Sequence, residues 1–369
     1  MLQHLSKSFI VLFIFINQLN AQTKKSLSSL DNRLVTTAQN IINSQFEGGK
    51  FSGTILIAHK DSILYEKAYG EASKSYHVLN NMDTKFNLGS NNKMFTATAI
   101  MQLYKKQLIE LDIPISQYID STWLPKKITD KITIDHLLTH TSGLGDFFNE
   151  RFEKSSKALF REIKDFKPLV KSSTLAFEPG TKTQYSNTGM LLLGVIIENV
   201  TGQTYFEYIN EFIYKPLGMT DTGCFEMDKP IENLATGYSF VDGLWENNYF
   251  KHVIKGGPSG GGFSTARDLH KFGQSILNKE LLPQPLLDQQ LKIHQKLQGP
   301  TFKNYGYGYG FVVIEGKNTK VVGHLGGFYG ISSGFFISLD TGHIISVLSN
   351  YDAVGTQVAV ELSKILVEN

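Results

Sequence analysis

The sequence is almost free of cysteine. Cys224 is the only one in 369 residues, so the chain has no internal disulfide, no cysteine-based zinc site and no Cys-x-x-Cys redox pair. Stability must therefore come from packing. We expect Cys224 itself to be a small packed hydrophobe and not a nucleophile.

The sequence also lacks an excess of charge of one sign. Its 36 Lys and Arg residues nearly balance 34 Asp and Glu residues, and no basic stripe interleaved with aromatic residues occurs. Nucleic acid is therefore not an expected partner. Internal repeats, low-complexity segments and a Pro/Ser-rich linker after residue 45 are missing too, while 41% of the residues are hydrophobic. One domain over residues 22–369 is the simplest organisation.

The N-terminal residues have the pattern of an export signal. Lys7 supplies a positive charge, residues 9–16 form an unbroken apolar run, and Ala21 offers a small residue for cleavage before Gln22. The run is shorter than the roughly 20 apolar residues that cross a bilayer, and no cysteine follows it to carry a lipid. We predict a signal peptide over residues 1–21 and an exported protein, periplasmic or secreted, without a stable membrane span after cleavage. The alternative is an uncleaved membrane anchor.

Strand patterns occur at both ends of the chain and helical patterns between them. The strand patterns cover residues 54–58, 63–68, 309–314, 320–323 and onward, 334–339 and 344–348. The helical patterns cover residues 34–46, 94–104, 134–138, 190–200, 266–277 and 354–367. We therefore predict an α+β fold, in which one antiparallel sheet built from both chain ends is flanked by helices, with an inserted mainly helical lobe and a cleft between the lobes.

Ser90 and Lys93 form the first chemical motif. They precede the helical pattern that begins at Met94, so Ser90 is predicted at the first turn of a helix with the Lys93 amine beside its hydroxyl. A helix N-terminus favours negative charge developing on that oxygen. To act as a base, the lysine needs its pKa lowered by roughly three units from about 10.4, which desolvation in a cleft can supply. Alone, the motif also fits an N-cap serine with a solvated lysine.

Tyr185 and Asn187 form the second motif. They lie two residues apart on a predicted loop before the helical pattern that begins at Met190. Tyr185 can relay a proton and Asn187 can hydrogen-bond a substrate amide if both point into one cleft. An ordinary turn with a surface tyrosine is the alternative.

His324, Gly326 and Gly327 form the third motif. Alternation along a predicted strand puts His324 and Gly326 on the same side, and glycines there let a substrate backbone lie close to the strand edge. The N–H groups of Gly327 and Ser90 can together form an oxyanion hole. A core histidine beside a strand glycine is the alternative.

In this order, Ser-x-x-Lys, Tyr-x-Asn and His-x-Gly resemble the serine β-lactamase and penicillin-binding-protein superfamily. Tyr-x-Asn is typical of the branch that contains class C β-lactamases, D-alanyl-D-alanine carboxypeptidases, D-aminopeptidases and esterases. Residues 135–144, 215–219 and 261–269 also resemble that branch, and we interpret them as scaffold. The resemblance runs from about residue 51 to the C-terminus.

The resemblance implies that Ser90 is acylated, with Lys93 and Tyr185 as the proton-transfer groups and Gly327 in the oxyanion hole. Which of Lys93 and Tyr185 is the base stays open. Asn187, His324 and Gly326 would bind the substrate, and the chemistry requires no metal or organic cofactor. The implied partner is a small-molecule or peptide substrate, and cell-wall peptides are one candidate.

His324 departs from the β-lactamase pattern, in which a lysine usually stands at that position. A cation there would bind a substrate carboxylate, and histidine supplies one only when protonated. The resemblance therefore favours a carboxypeptidase- or esterase-like hydrolase of a D-alanyl peptide, amide, ester or β-lactam over an efficient β-lactamase. We expect loops around residues 305–309 and Phe328 to select the acyl donor.

Three other interpretations remain. Residues 257–261 and 330–334 match the Gly-x-Ser-x-Gly elbow of α/β-hydrolases, which needs a strand before it and a helix after it. His136 and His140 have the spacing of a helical zinc pair but lack the glutamate after His136, which favours capping or packing. The non-enzyme alternative is a penicillin-binding sensor or binding module that acylates without turnover.

Overall fold

The computed structural model describes residues 27–368. The predicted signal peptide lies outside this range. Within it, no helix combines the length and the apolar composition that crossing a membrane requires.

The centre of the molecule is an eight-stranded antiparallel sheet. The strands of the chain are β1 (Gly53–His59), β2 (Ser62–Tyr69), β3 (Glu71–Ser73), β4 (Val78–Leu79), β5 (Phe86–Asn87), β6 (Tyr238–Val241), β7 (Leu244–Asn247), β8 (Phe263–Ser264), β9 (Gln295–Lys296), β10 (Tyr305–Tyr307), β11 (Val312–Glu315), β12 (Lys320–Phe328), β13 (Ile331–Ser338) and β14 (His343–Ser349). The large sheet has the order β2-β1-β14-β13-β12-β11-β10-β9, and β3 with β4, β5 with β8 and β6 with β7 form separate pairs. The pairing of β1 with β14 joins the two ends of the chain, as predicted.

Helices cover both faces of this sheet. They are α1 (Ser29–Glu47), α2 (Asn92–Lys105), α3 (Lys126–Thr129), α4 (Ile134–Leu138), α5 (Glu150–Lys154), α6 (Lys167–Val170), α7 (Asn187–Thr201), α8 (Tyr205–Ile209), α9 (Ala266–Asn278), α10 (Gln284–Gln290) and α11 (Val354–Glu368). Helices α1 and α11 pack on one face, and α9 packs on the other beside α2 and the helices that lie between β5 and β6.

Alternation along β1 divides its side chains between two cores. Leu56 and Ala58 belong to the core that contains α2, α7 and α9, whereas Ile55 and Ile57 belong to the core under α1 and α11. A central strand covered on both faces is buried at nearly every position for this reason. The predicted α+β architecture is therefore confirmed.

Two predicted boundaries are wrong in a way that affects the site. The strand predicted at 309–314 begins only at Val312, as β11, because residues 308–311 form a turn after β10: the Gly308 N–H donates to the Phe311 carbonyl, and Gly310 has a φ of 72°. The helix predicted from Met190 begins at Asn187, because the Ser186 hydroxyl caps it by accepting the Gly189 N–H.

Candidate active site

Ser90 lies in a single 3₁₀ turn, Gly89–Asn91, that leads directly into α2. Gly89 has a φ of 51°, and a Cβ on it would come 2.9 Å from the Gly327 nitrogen. The turn therefore brings the Ser90 region next to the Gly327 amide, as the predicted oxyanion hole requires.

Side chains around the nucleophile hold this turn against the sheet. The Asn91 amide donates to Ser333 Oγ (2.7 Å), and the Ser333 hydroxyl in turn donates to the Leu88 carbonyl (2.7 Å). The Asn87 side chain accepts the Gly89 N–H (2.9 Å). The position of Ser90 is thus set by contacts with β13 and β5, which are rigid parts of the fold.

Lys93 is fully buried and faces Ser90. Its Nζ lies 3.0 Å from Ser90 Oγ and 2.8 Å from Asn187 Oδ1, and it also donates to the Ser259 carbonyl. Burial lowers the pKa of Lys93 from 10.5 to about 7, while the charge of Asp146 acts in the opposite direction. The pKa shift that the sequence argument required is therefore present.

Asn187 occupies the first turn of α7 and not a loop. Its Oδ1 accepts from Lys93, and its Nδ2 donates to Asp146 Oδ2 at 2.6 Å. It also lines the cavity beside Ser90, so contact with a substrate is open to it. To the predicted substrate contact the structure adds a second role, which is to orient the Lys93 amine.

Tyr185 lies just before α7 at the mouth of the site, with 44% of its surface exposed. Partial burial raises the pKa of Tyr185, whereas the nearby Ser90 hydroxyl acts against this rise. The Lys93 amine lies 4.7 Å from the centre of the ring. Lys93 is therefore in contact with both Ser90 and Tyr185, so the first two motifs meet at one site.

His324 is not a substrate-facing cation. The side chain is buried, and its Nδ1 lies 2.6 Å from the Leu325 carbonyl, which only accepts, so Nδ1 carries the proton. Its Nε2 then accepts from the Tyr307 hydroxyl at 2.9 Å. Burial and the nearby charge of Lys93 lower the pKa of His324 to about 3. Because both ring nitrogens of His324 already bind the protein, the structure offers no free ring nitrogen for the predicted substrate contact, which stays a prediction.

Gly326 also differs from its predicted role. A Cβ there would come 2.0 Å from the Leu88 carbonyl oxygen, so glycine makes room for the protein's own backbone and not for a substrate. The strand edge itself is available, because β11 pairs only with residues 320–323 of β12 and the described residues place no strand beside 324–328 on that side. Gly327 is exposed at this edge.

The sequence did not predict the role of three residues of the site: Asp146, Tyr307 and His140. Asp146 holds Asn187, and Tyr307 holds His324. The His140 ring lies between Tyr185 and Tyr307, with ring centres 4.4 and 4.6 Å away, and its Nδ1 accepts the Ser186 N–H. In the sequence, His140 stands out only as half of a zinc-like pair and within the family-like segment 135–144, and Tyr307 only within the range 305–309 that we expect to select the acyl donor. No local pattern signals Asp146.

The competing interpretations are not supported by the geometry. His136 accepts the Thr133 N–H as part of a helix cap, in agreement with the capping interpretation. Ser259 has no helix after it, and Ser332 lies within β13 with its hydroxyl donating to a backbone carbonyl. Burial raises the pKa of the Cys224 thiol to about 11, which disfavours the thiolate.

One group of metal-ligand side chains lies within the described residues, at the N-terminus of α1. His343 Nε2 is 2.8 Å from Asp31 Oδ1, and His59 lies beside them. The two imidazole rings are stacked 4.5 Å apart at an angle of 15°. A metal ion lies in the plane of each imidazole that binds it, and nearly parallel stacked planes do not meet at one ion. The group is better described as a hydrogen-bonded cluster.

A serine hydroxyl and a desolvated lysine at a helix start, beside an open strand edge of an antiparallel sheet, define a serine hydrolase of the Ser-x-x-Lys type. The comparison with protein families agrees. The Beta-lactamase family model matches residues 37–365, and the chain belongs to this family.

Individual relatives cover most of the chain. Penicillin-binding protein 4* of Bacillus subtilis (strain 168) is 29% identical over 85% of this chain and 71% of that protein. A penicillin-binding protein from Bacillus halodurans has a crystal structure with a TM-score of 0.80 and 28% identity, covering 88% of this chain and 98% of that one. A D-stereospecific amidohydrolase from Streptomyces sp. has a TM-score of 0.73 and 26% identity, covering 88% and 97%. These similarities confirm the predicted superfamily and fold.

Proposed function

We propose that this serine hydrolase acts through an acyl-enzyme on Ser90 and is esterase- or carboxypeptidase-like, not an efficient β-lactamase. The observation that carries the proposal is the set of contacts around Lys93. The carbonyl oxygens of Asn187 and Ser259 accept hydrogen bonds from its Nζ. A neutral amine held in this way has its lone pair left for the Ser90 hydroxyl at 3.0 Å.

Lys93 is the group that we propose as the base in acylation. With a pKa of about 7, a large share of Lys93 is neutral near pH 7. Tyr185 has its pKa raised, so its phenolate is scarce at the same pH. We therefore propose Tyr185 as the proton donor and relay, and Lys93 as the base.

The reaction then follows from these positions. Ser90 Oγ attacks the acyl carbon while its proton passes to Lys93, and the N–H groups of Ser90 and Gly327 stabilise the oxyanion. Collapse of the intermediate breaks the bond to the leaving group, which takes a proton through Tyr185. Water then attacks the acyl-enzyme, loses its proton to the same relay, and releases the acid and Ser90.

The charges around the site favour uncharged acyl donors. His324 is neutral, so it offers no cation for a carboxylate next to the scissile bond. The two cations that line the adjoining cavity, Arg161 and Lys255, are paired with carboxylates. We therefore rank esters and amides above D-alanyl-D-alanine peptides and penicillins. Export, by cleavage after residue 21, belongs to the same proposal and makes cell-wall peptides accessible as a secondary substrate class.

The test is the intact mass of the purified protein after incubation with an activated ester and with a penicillin. The adduct is expected with the ester and must disappear in Ser90→Ala. Ser259→Ala is the matched control, because it removes the serine of the other Gly-x-Ser-x-Gly match while keeping the backbone carbonyl that binds Lys93. An adduct that survives Ser90→Ala, or none with either reagent, would refute the nucleophile assignment. A persistent adduct without turnover would show a sensor.

A further inference from the structure

The strongest unassigned feature is a cavity of about 250 Å³ that Ser90 and Gly327 both line. Its other walls are mainly apolar. Phe148, Phe152, Ile163, Leu191, Phe206 and Phe328 are among them. Residues 305–309, predicted to select the acyl donor, are not part of this lining, whereas Phe328 is.

We propose that this cavity is an acyl pocket that accepts a neutral, apolar acyl chain longer than acetyl. The inference rests on the proposed Ser90 acyl-enzyme, because a group bonded to Ser90 Oγ must extend into the space that Ser90 lines. An acetyl group is small compared with a cavity of about 250 Å³, so it leaves much of the apolar wall unused.

The charged residues of the lining do not provide a site for an ionic substrate. The Lys255 amine lies 3.1 Å from Glu162 Oε1 and 3.7 Å from the centre of the Phe206 ring. Arg161 binds Glu226 at 3.0 Å and also pairs with Asp228. A charged acyl group would have to compete with these internal partners and lose its water, whereas an apolar chain meets neither cost.

Phe148 and Phe328 form a wall that joins the two parts of the fold. Their rings are stacked with centres 5.3 Å apart and planes at 28°. Phe328 directly follows Gly327 on β12, and Phe148 comes two residues after Asp146, which holds Asn187. The apolar wall is therefore continuous with the residues that position the reaction, so an acyl chain lying along it is in contact with both.

The experiment measures kcat/KM for p-nitrophenyl acetate, butyrate and hexanoate, in which the leaving group is constant. We expect a rise of about fourfold for each methylene that becomes buried. A second series with acetyl esters of alcohols of increasing length should show no such rise. If preference follows the alcohol and not the acyl chain, the cavity holds the leaving group and the inference is wrong.

Gly257→Val tests the location of the pocket. Gly257 lines the cavity, and a Cβ built on it meets no atom within 4 Å, so the larger side chain enters open space. The ratio of hexanoate to acetate activity should fall about tenfold or more. Gly145→Val is the matched control, since its Cβ also meets nothing within 4 Å but Gly145 is not part of the lining. Its ratio should stay at the wild-type value.

Val253→Phe is a second way to fill the cavity, because Val253 is half-buried in the same wall. This variant replaces Gly257→Val in the test if Gly257→Val does not fold. A flat response to acyl length in a protein that still turns over acetate through Ser90 would overturn the pocket and leave the proposed function standing. Loss of Ser90-dependent turnover with every ester would overturn both.

Discussion

The protonation of Lys93 should control how acylation depends on pH. Its pKa of about 7 lies some 3.5 units below its usual 10.5, a difference of about 5 kcal/mol between the two protonation states. Because only the neutral amine accepts the Ser90 proton, kcat/KM should fall about tenfold per pH unit below pH 7 and level off above about pH 8. An ordinary lysine would instead give a rate that rises up to about pH 10.

Other groups of the site should not produce this fall in kcat/KM below pH 7. His324, with a pKa of about 3, stays neutral from pH 5 to 9, and the raised pKa of Tyr185 keeps it protonated over the same range. The assay is kcat/KM with an uncharged activated ester, corrected for spontaneous hydrolysis. A profile without a limb between about pH 6 and 8 would refute the assignment of Lys93 as the base.

Asp146→Asn tests the electrostatic effect of the Asp146 carboxylate on the pKa of Lys93. Its carboxylate raises the pKa of Lys93, so removing the charge should move the midpoint to lower pH. Asp146 is exposed, and we therefore expect a shift of only about half a unit to one unit, smaller at high salt. Asparagine still offers an oxygen to Asn187, so the hydrogen bond can persist. A midpoint that moves to higher pH would contradict the electrostatic argument.

The same lysine makes folding stability depend on pH. Between about pH 7 and 10.5 the unfolded chain binds a proton at Lys93 that the folded chain does not, so the free energy of unfolding should rise with pH across this window. The destabilisation caused by burying Lys93 is complete below its pKa in the folded protein and disappears above its pKa in the unfolded chain. Urea unfolding of wild type and Lys93→Met at pH 6.5 and 9 measures this pH dependence. An equal change in the free energy of unfolding between the two pH values in both proteins would contradict the argument.

Two further substitutions test the surroundings of the nucleophile. Tyr307→Phe leaves the buried Nε2 of His324 without its donor and should reduce the free energy of unfolding by about 1–3 kcal/mol, whereas Tyr305→Phe in the same strand should cost less than about 0.5 kcal/mol. Gly326→Ala brings a Cβ to 2.0 Å from a backbone carbonyl and should cost about 3 kcal/mol, whereas Gly327→Ala, whose Cβ meets no atom within 4 Å, should keep its stability. Denaturant unfolding measures both pairs, and equal losses within a pair would refute the argument.

The fold could be predicted from the sequence where the pattern is local and regular. The short apolar runs at 54–58 and 344–348 and the helical periods at 94–104 and 354–367 correspond to β1, β14, α2 and α11. Prediction failed at 309–311, because an apolar run does not reveal that Gly310 adopts a positive φ in a turn between β10 and β11. It also failed at the start of α7, where the Ser186 cap overrides the later start of the apolar period.

The sequence by itself determined that Ser90 and Lys93 would meet, because residues three apart at a helix start are neighbours whatever surrounds them. Tertiary structure alone decided the chemistry of that pair. Burial removes water from the Lys93 amine, which instead donates hydrogen bonds to Asn187 and Ser259, two residues far away along the chain. It likewise decided that His324 is neutral and bound to Tyr307, since a pKa depends on solvent and on partners that only folding brings together.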